Sequence, residues 1–168
     1  MKEALLTPDE LATIDGSLKS SDIQAPGSSS PSSASCNGGT TYPVYNPARL
    51  LKDGNALAII EEIDGFASEK AAQSGFGIDS KTLTCRLQSP NNISDQVRGL
   101  CDQSYATEAL ETKSGFYPAA LYAGVIRCGR FVVFIMLETP NDSAFDQLGK
   151  FAILAEIAVP KVEDLPGG

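Results

Sequence analysis

Six residues carry most of the chemistry this chain could perform: four cysteines, Cys36, Cys85, Cys101 and Cys128, and two adjacent glutamates, Glu61 and Glu62. Histidine is absent. That removes the commonest general base and the commonest metal ligand. Four thiolates could hold zinc, but such sites use closely spaced pairs, and these cysteines are widely spread with no Cys-x-x-Cys. An even, dispersed set reads instead as disulfides. Four cysteines allow three connectivities. The sequential one, Cys36–Cys85 with Cys101–Cys128, is the expectation here. Each closed loop would be worth roughly 3–4 kcal/mol in the chain-entropy picture. Disulfides in turn place the chain outside the reducing cytoplasm.

Glu61 and Glu62 could act as acid and base, but consecutive strand residues point to opposite faces, so at most one faces inward. An inward carboxyl would have a raised pKa and could donate a proton. This leaves an acid/base hydrolase as the least favoured reading. A Ser nucleophile without histidine needs a Lys base, and neither Ser17-Leu18-Lys19 nor Ser68-Glu69-Lys70 has the Ser-x-x-Lys spacing. Gly75-Phe76-Gly77 lacks the third glycine and the Lys-Ser/Thr of a phosphate loop. The expectation is therefore no enzyme, no metal and no cofactor.

Composition sets further bounds. At 168 residues, 42% hydrophobic and 20% charged, the chain fits a single domain over residues 1–168 with a substantial core. A net charge of −8 opposes binding to nucleic acid or to an anionic membrane surface. No run approaches the ~18 apolar residues of a spanning helix. No signal sequence opens the chain, so an exported form implies that one was removed.

These residues must be positioned by recognisable elements. Thr7, Pro8 and Glu10 have the spacing of an N-cap, a first helical residue and a capping-box partner. Leu6 and Leu11 would staple this short helix, which should end near Gly16. Nine of the nineteen residues from 17 to 35 are Ser, a composition that reads as a flexible loop. Two prolines near Tyr42 and Tyr45 argue against a regular strand over 41–51. Residues 56–63 and 82–87 read as strands, with Cys85 mid-strand, and residues 68–74 as a short helix stopped by Gly75. A turn follows at 89–92 and a short helix over 94–100. Residues 104–112, 117–127 and 130–137 read as further strands, the last central in the sheet. Gly129 would turn the final hairpin at positive φ. Ser143 would cap a last helix with Asp146 at N3. Its apolar stripe, Phe145, Leu148, Ala152, Ala155 and Val159, is widened by Phe151, Leu154 and Ala158. That helix should stop or kink at Pro160. The class is α+β: an antiparallel sheet packed against N-terminal and C-terminal helices, with two disulfides.

Three stretches carry a family likeness. They are the opening LLTPDELATIDG (residues 5–16), residues 56–72, and the run from Val125-Ile126-Arg127-Cys128-Gly129-Arg130-Phe131 through the apolar helix to Lys161-Val162. Together they resemble exported actinobacterial domains, including the extracellular sensor domain of PknH-type Ser/Thr kinases and related lipoproteins. The chain departs from that pattern in having no Trp and an unusually long Ser-rich stretch. The resemblance implies an envelope-exposed α+β domain with a central cleft, suited to ligand sensing and with no catalytic residue; anchoring through a removed N-terminal segment is a further expectation.

The leading expectation is thus a non-catalytic, exported, ligand-binding or sensor domain of a cell-envelope lipoprotein. Its groove would be lined by Tyr122, Phe134 and Phe151, and its partner would be a small-molecule or envelope ligand. The alternative is a protein-interaction domain that uses the apolar C-terminal helix as its interface.

Overall fold

A two-residue turn organises the strongest part of the fold. Gly129 has φ 55°, and Cys128 pairs with Phe131 across it. The turn joins β6 (Ala119–Cys128) to β7 (Phe131–Pro140), the two longest strands. Only glycine adopts that φ at no steric cost, so the hairpin register is fixed locally. The computed structural model describes residues 2–14, 27–28, 47–53, 57–87, 90–111, 119–140 and 147–166.

Within these residues the sheet is seven-stranded and antiparallel throughout, in the order β1-β2-β3-β7-β6-β5-β4. β2 (Pro47–Asp53), β3 (Leu57–Gly65) and β5 (Gln103–Glu111) are long. β1 (Gly27–Ser28) and β4 (Asn91–Asn92) are two-residue edges. β7 is the central strand, as its RFVVFIML run implies. Val133, Ile135 and Leu137 are fully buried on one face and Val132 is buried on the other.

Helices cover both faces. α1 (Pro8–Ile14) and α3 (Gln147–Glu163) lie over one face and share the main core, which includes Leu6, Leu11, Phe151, Leu154, Val159 and Val162. α2 (Glu69–Arg86) covers the other, with Phe66, Ala72, Val125 and Val132 at its centre. The terminal helices therefore share one layer, and a third helix supplies the second.

The capping box at α1 forms as its residues imply. Glu10 N–H donates to Thr7 Oγ1 at 3.3 Å, and Thr7 N–H donates to Glu10 Oε2 at 2.6 Å. Leu6 and Leu11 are both buried, as the staple requires.

Three expectations are corrected. Residues 82–87 are not a strand, and Gly75 does not stop a helix: Gly75 and residues 82–86 lie within the 18-residue α2, and Leu87 caps its end. Ser68 caps it by accepting from Ala71 N–H at 3.2 Å. The hydroxyls of Ser74, Ser80, Thr82 and Thr84 each donate to a carbonyl four residues back, so these poor helix formers are satisfied inside the helix. Gly75 serves a contact rather than a break, because a Cβ there would sit 2.5 Å from the ring tip of Phe66.

Pro160 does not end α3, which continues to Glu163. Its last turn is tied down: Val162 is fully buried, and Lys161 Nζ donates to Leu5 O at 2.9 Å and to Glu10 Oε2 at 2.7 Å. These contacts outweigh the backbone bond that proline forfeits. The third correction is β2, which begins at Pro47. A proline at a strand's first residue leaves the rest of the ladder intact.

Of the turn expected over 89–92, Asn91 and Asn92 form β4 and Ser89 lies outside the described residues, and the helix expected over 94–100 is a 3-10 turn over Ser94–Val97. Apart from Gly27 and Ser28, the Ser-rich stretch lies outside the described residues. So do Tyr42, Tyr45, Gly54, Ser143, Phe145 and Asp146.

Candidate functional site

Strand alternation separates the two glutamates, as the sequence requires. Glu61, 1% exposed, faces the α1/α3 layer, and its Oε2 accepts from Leu6 N–H at 2.8 Å. It satisfies a backbone donor just ahead of α1, 55 residues away in sequence. Glu62 is directed to the α2 side, and the pair cannot act on one substrate.

The α2 side holds a carboxyl cluster that the sequence reading missed. Glu62 and Asp64 are two apart on β3 and share a face, and Asp79 of α2 meets them. Burial raises the Asp64 carboxyl to about 8, aided by the charges of Glu62 and Asp79 and by a hydrogen bond with Glu62. Burial, then the charge of Glu62, raises Asp79 to about 7. At neutral pH Asp64 mostly holds its proton and Asp79 is about half protonated, so the cluster presents hydrogen-bond donors as well as acceptors. The signal was present as Glu-x-Asp at strand spacing. Asp79, however, reaches the cluster only because α2 continues past Gly75.

Apolar residues flank this cluster. In register, Glu62 lies beside Phe134 and Asp64 beside Val132. Phe134 is half-buried and packs with Phe76 and Leu83 on the second core. Tyr122 and Phe151 lie on the opposite face, buried, with ring centroids 6.4 Å apart and planes inclined by 30°. The sheet thus brings together two of the three expected groove residues and sets the third behind them.

A second concave feature lies where four element ends converge. A cleft of 310 Å³ is lined by Glu69, Cys101, Asp102, Cys128, Gly129 and Glu163. These come from the start of α2, the approach to β5, the β6–β7 turn and the end of α3. Cys101 and Cys128 form the expected disulfide, with Cα atoms 5.0 Å apart. Cys101 has φ 55°, unusual for a residue with a Cβ. The disulfide holds it there, together with the adjacent bond from Asp102 N–H to Arg127 O at 3.0 Å. Asp102 Oδ2 also accepts from Gly129 N–H at 2.8 Å and pairs with Arg127 Nη1 at 3.0 Å. One disulfide is seen within the described residues. Cys85 is disulfide-bonded too, and Cys36 lies outside them.

Among the described residues, no three His, Cys, Asp or Glu side chains are placed to hold a metal ion. Nor is any described helix long and apolar enough to cross a membrane.

No protein-family model matches the sequence, and no curated protein matches it. A solved structure does resemble the fold: the extracellular domain of PknH from Mycobacterium tuberculosis. The likeness spans 96% of this chain and 94% of that one, with a TM-score of 0.59 and 12% sequence identity. The resemblance seen in scattered sequence pieces is thus a resemblance of the whole fold.

Proposed function

We propose that this chain is a non-catalytic, extracytoplasmic sensor or ligand-binding domain, a single unit over residues 1–168, held in the cell envelope as part of a lipoprotein. The likeness of nearly its whole length to the extracellular domain of PknH carries this reading. The disulfide between Cys101 and Cys128 supports it, since such bonds persist in oxidising compartments. A second bridge, Cys36–Cys85, belongs to the same proposal.

The ligand is a small molecule or envelope component with both apolar and hydrogen-bonding parts. Its contact on the α2 side is Phe134, beside the proton-bearing carboxyls. Tyr122 of β6 and Phe151 of α3 are buried against each other and would meet a ligand only after that helix shifts.

The alternatives have less behind them. The wide apolar face of α3 is covered by the chain's own core. Ile153, 43% exposed, is the only large hydrophobic residue left open among the described ones. Glu61 is engaged with backbone rather than facing solvent.

Thermal-shift measurements with envelope lipids and cell-wall fragments test the proposal. A saturable rise in Tm with one class, reduced by Phe134→Ala, is the expected result. No shift with any component would overturn it. Mass spectrometry of native protein, with and without reduction, should count no free thiol, and four free thiols would remove the compartment argument.

A further inference from the structure

The cleft at the Cys101–Cys128 bridge exposes its two cysteines unequally. Cys128 is 2% exposed, buried beneath the β6–β7 turn, whereas Cys101 is partly open. Three carboxylic side chains, Glu69, Asp102 and Glu163, line the same opening. Glu163 Oε1 lies 3.2 Å from Cys101 Sγ. A disulfide sulfur carries no proton, so this is a packing contact and not a hydrogen bond. It sets an acidic oxygen against the sulfur of the more exposed cysteine. Arg127 is bound to Asp102, Gln103 and the Gly129 carbonyl, and Arg130, next to Gly129, lies over the Phe131 ring at 5.3 Å. Lys161, in the same turn of α3, is engaged with Leu5 and Glu10.

We propose that this bridge is a charge-gated disulfide, open to exchange at Cys101 Sγ with neutral or cationic thiols and shielded by Glu163 and Glu69 from anionic ones. The inference holds whatever ligand the domain binds. In the exchange step a thiolate attacks Cys101 Sγ, and a mixed disulfide forms as the Cys101–Cys128 bond breaks. Cys128 leaves as a thiolate and takes a proton from water. A second equivalent of the same thiol then attacks the mixed disulfide, freeing Cys101 and releasing the oxidised thiol. The consequence is structural, because this bridge pins the approach to β5 to the last hairpin at the end of α3.

The test is exchange kinetics on the full chain with three small thiols: cysteamine (cationic), 2-mercaptoethanol (neutral) and 2-mercaptoethanesulfonate (anionic). Rates are expressed per thiolate present and corrected for each thiol's basicity. Loss of the bridge is followed by alkylation and peptide mapping, with the Cys85 disulfide as internal comparison. At low salt the cationic thiol should react about tenfold faster than the anionic one. That ratio should shrink toward one near molar salt, where screening falls to about 3 Å. Glu163→Gln, an isosteric change at an exposed helix end, should raise the anionic rate severalfold and leave the rate at Cys85 unchanged. Equal corrected rates for the three thiols, or a ratio unmoved by Glu163→Gln, would overturn the proposal. So would a rate that follows global unfolding in denaturant, since exchange would then bypass the cleft.

Discussion

Asp64→Asn should make this protein more stable at alkaline pH and leave it nearly unchanged at acid pH. Asp64 is 5% exposed, on the β3 face that meets α2. Burial, with the neighbouring Glu62 and Asp79 charges, raises its carboxyl from 3.8 to about 8. Between those values the folded chain holds a proton that the unfolded chain has released, so raising the pH favours unfolding. The stability contributed by protonated Asp64 is complete below 3.8 and is lost as pH climbs to about 8. At about 1.4 kcal/mol per pH unit, the rise from 3.8 to about 8 sets a ceiling of about 6 kcal/mol. Asp79, raised to about 7, adds loss in the same direction. Asparagine cannot ionise and keeps the shape, so it escapes the Asp64 part of this loss. Urea titrations at about pH 5 and about pH 9 span about three of those units, or about 4 kcal/mol, which a slope near 2 kcal/mol/M converts to about 2 M in midpoint. Wild-type and variant curves that stay parallel across this range would refute the reasoning. So would a variant destabilised equally at both ends.

Three more outcomes follow from single contacts. Gly75→Ala should destabilise α2 despite alanine's better propensity, because its Cβ meets Phe66 at 2.5 Å; Gly77→Ala, with nothing within 4 Å, should stabilise by about 0.5–1 kcal/mol, and thermal melts of the two read opposite signs. Lys161→Met should cost about 1–3 kcal/mol by removing the bonds to Leu5 and Glu10, measured by urea unfolding. Burial alone would raise Glu10, but its bonds to Lys161 and Thr7 hold it below its usual value. Wild type should therefore lose stability as acid protonates Glu10, and the variant should lose less. Glu61→Leu should cost about 1–3 kcal/mol by orphaning the buried Leu6 N–H, and amide exchange should rise first in α1.

Much of the frame was legible because it rests on local rules. The capping box at Thr7 and Glu10, the Gly129 turn and the alternation of β5 to β7 each depend on residues close in sequence. The same alternation determined that Glu61 and Glu62 would part. The carboxyl cluster was not legible, because Asp79 joins it only through α2, and α2 was hidden. Its buried or half-buried positions 72, 76, 79 and 83 have helical spacing, but glycines at 75 and 77 and the β-like run TLTCRL mask it. Packing against Phe66 and the hydroxyl-to-carbonyl bonds override that local preference. Pro160 gives the same lesson in α3, where burial of Val162 and the Lys161 bonds carry the helix onward.

By itself, the sequence determined that this chain would lack the usual catalytic sets and would be cross-linked. Residue types and their short-range spacing settle such matters. Tertiary structure alone decided what those residues face. It sent Phe134 to one side of the sheet and Tyr122 with Phe151 to the other, gathered Asp64 with Asp79, and set Glu163 beside Cys101, 62 residues distant. The physical reason is that burial and long-range contact set the charge state and reach of a side chain, and neither is written in its neighbours along the chain.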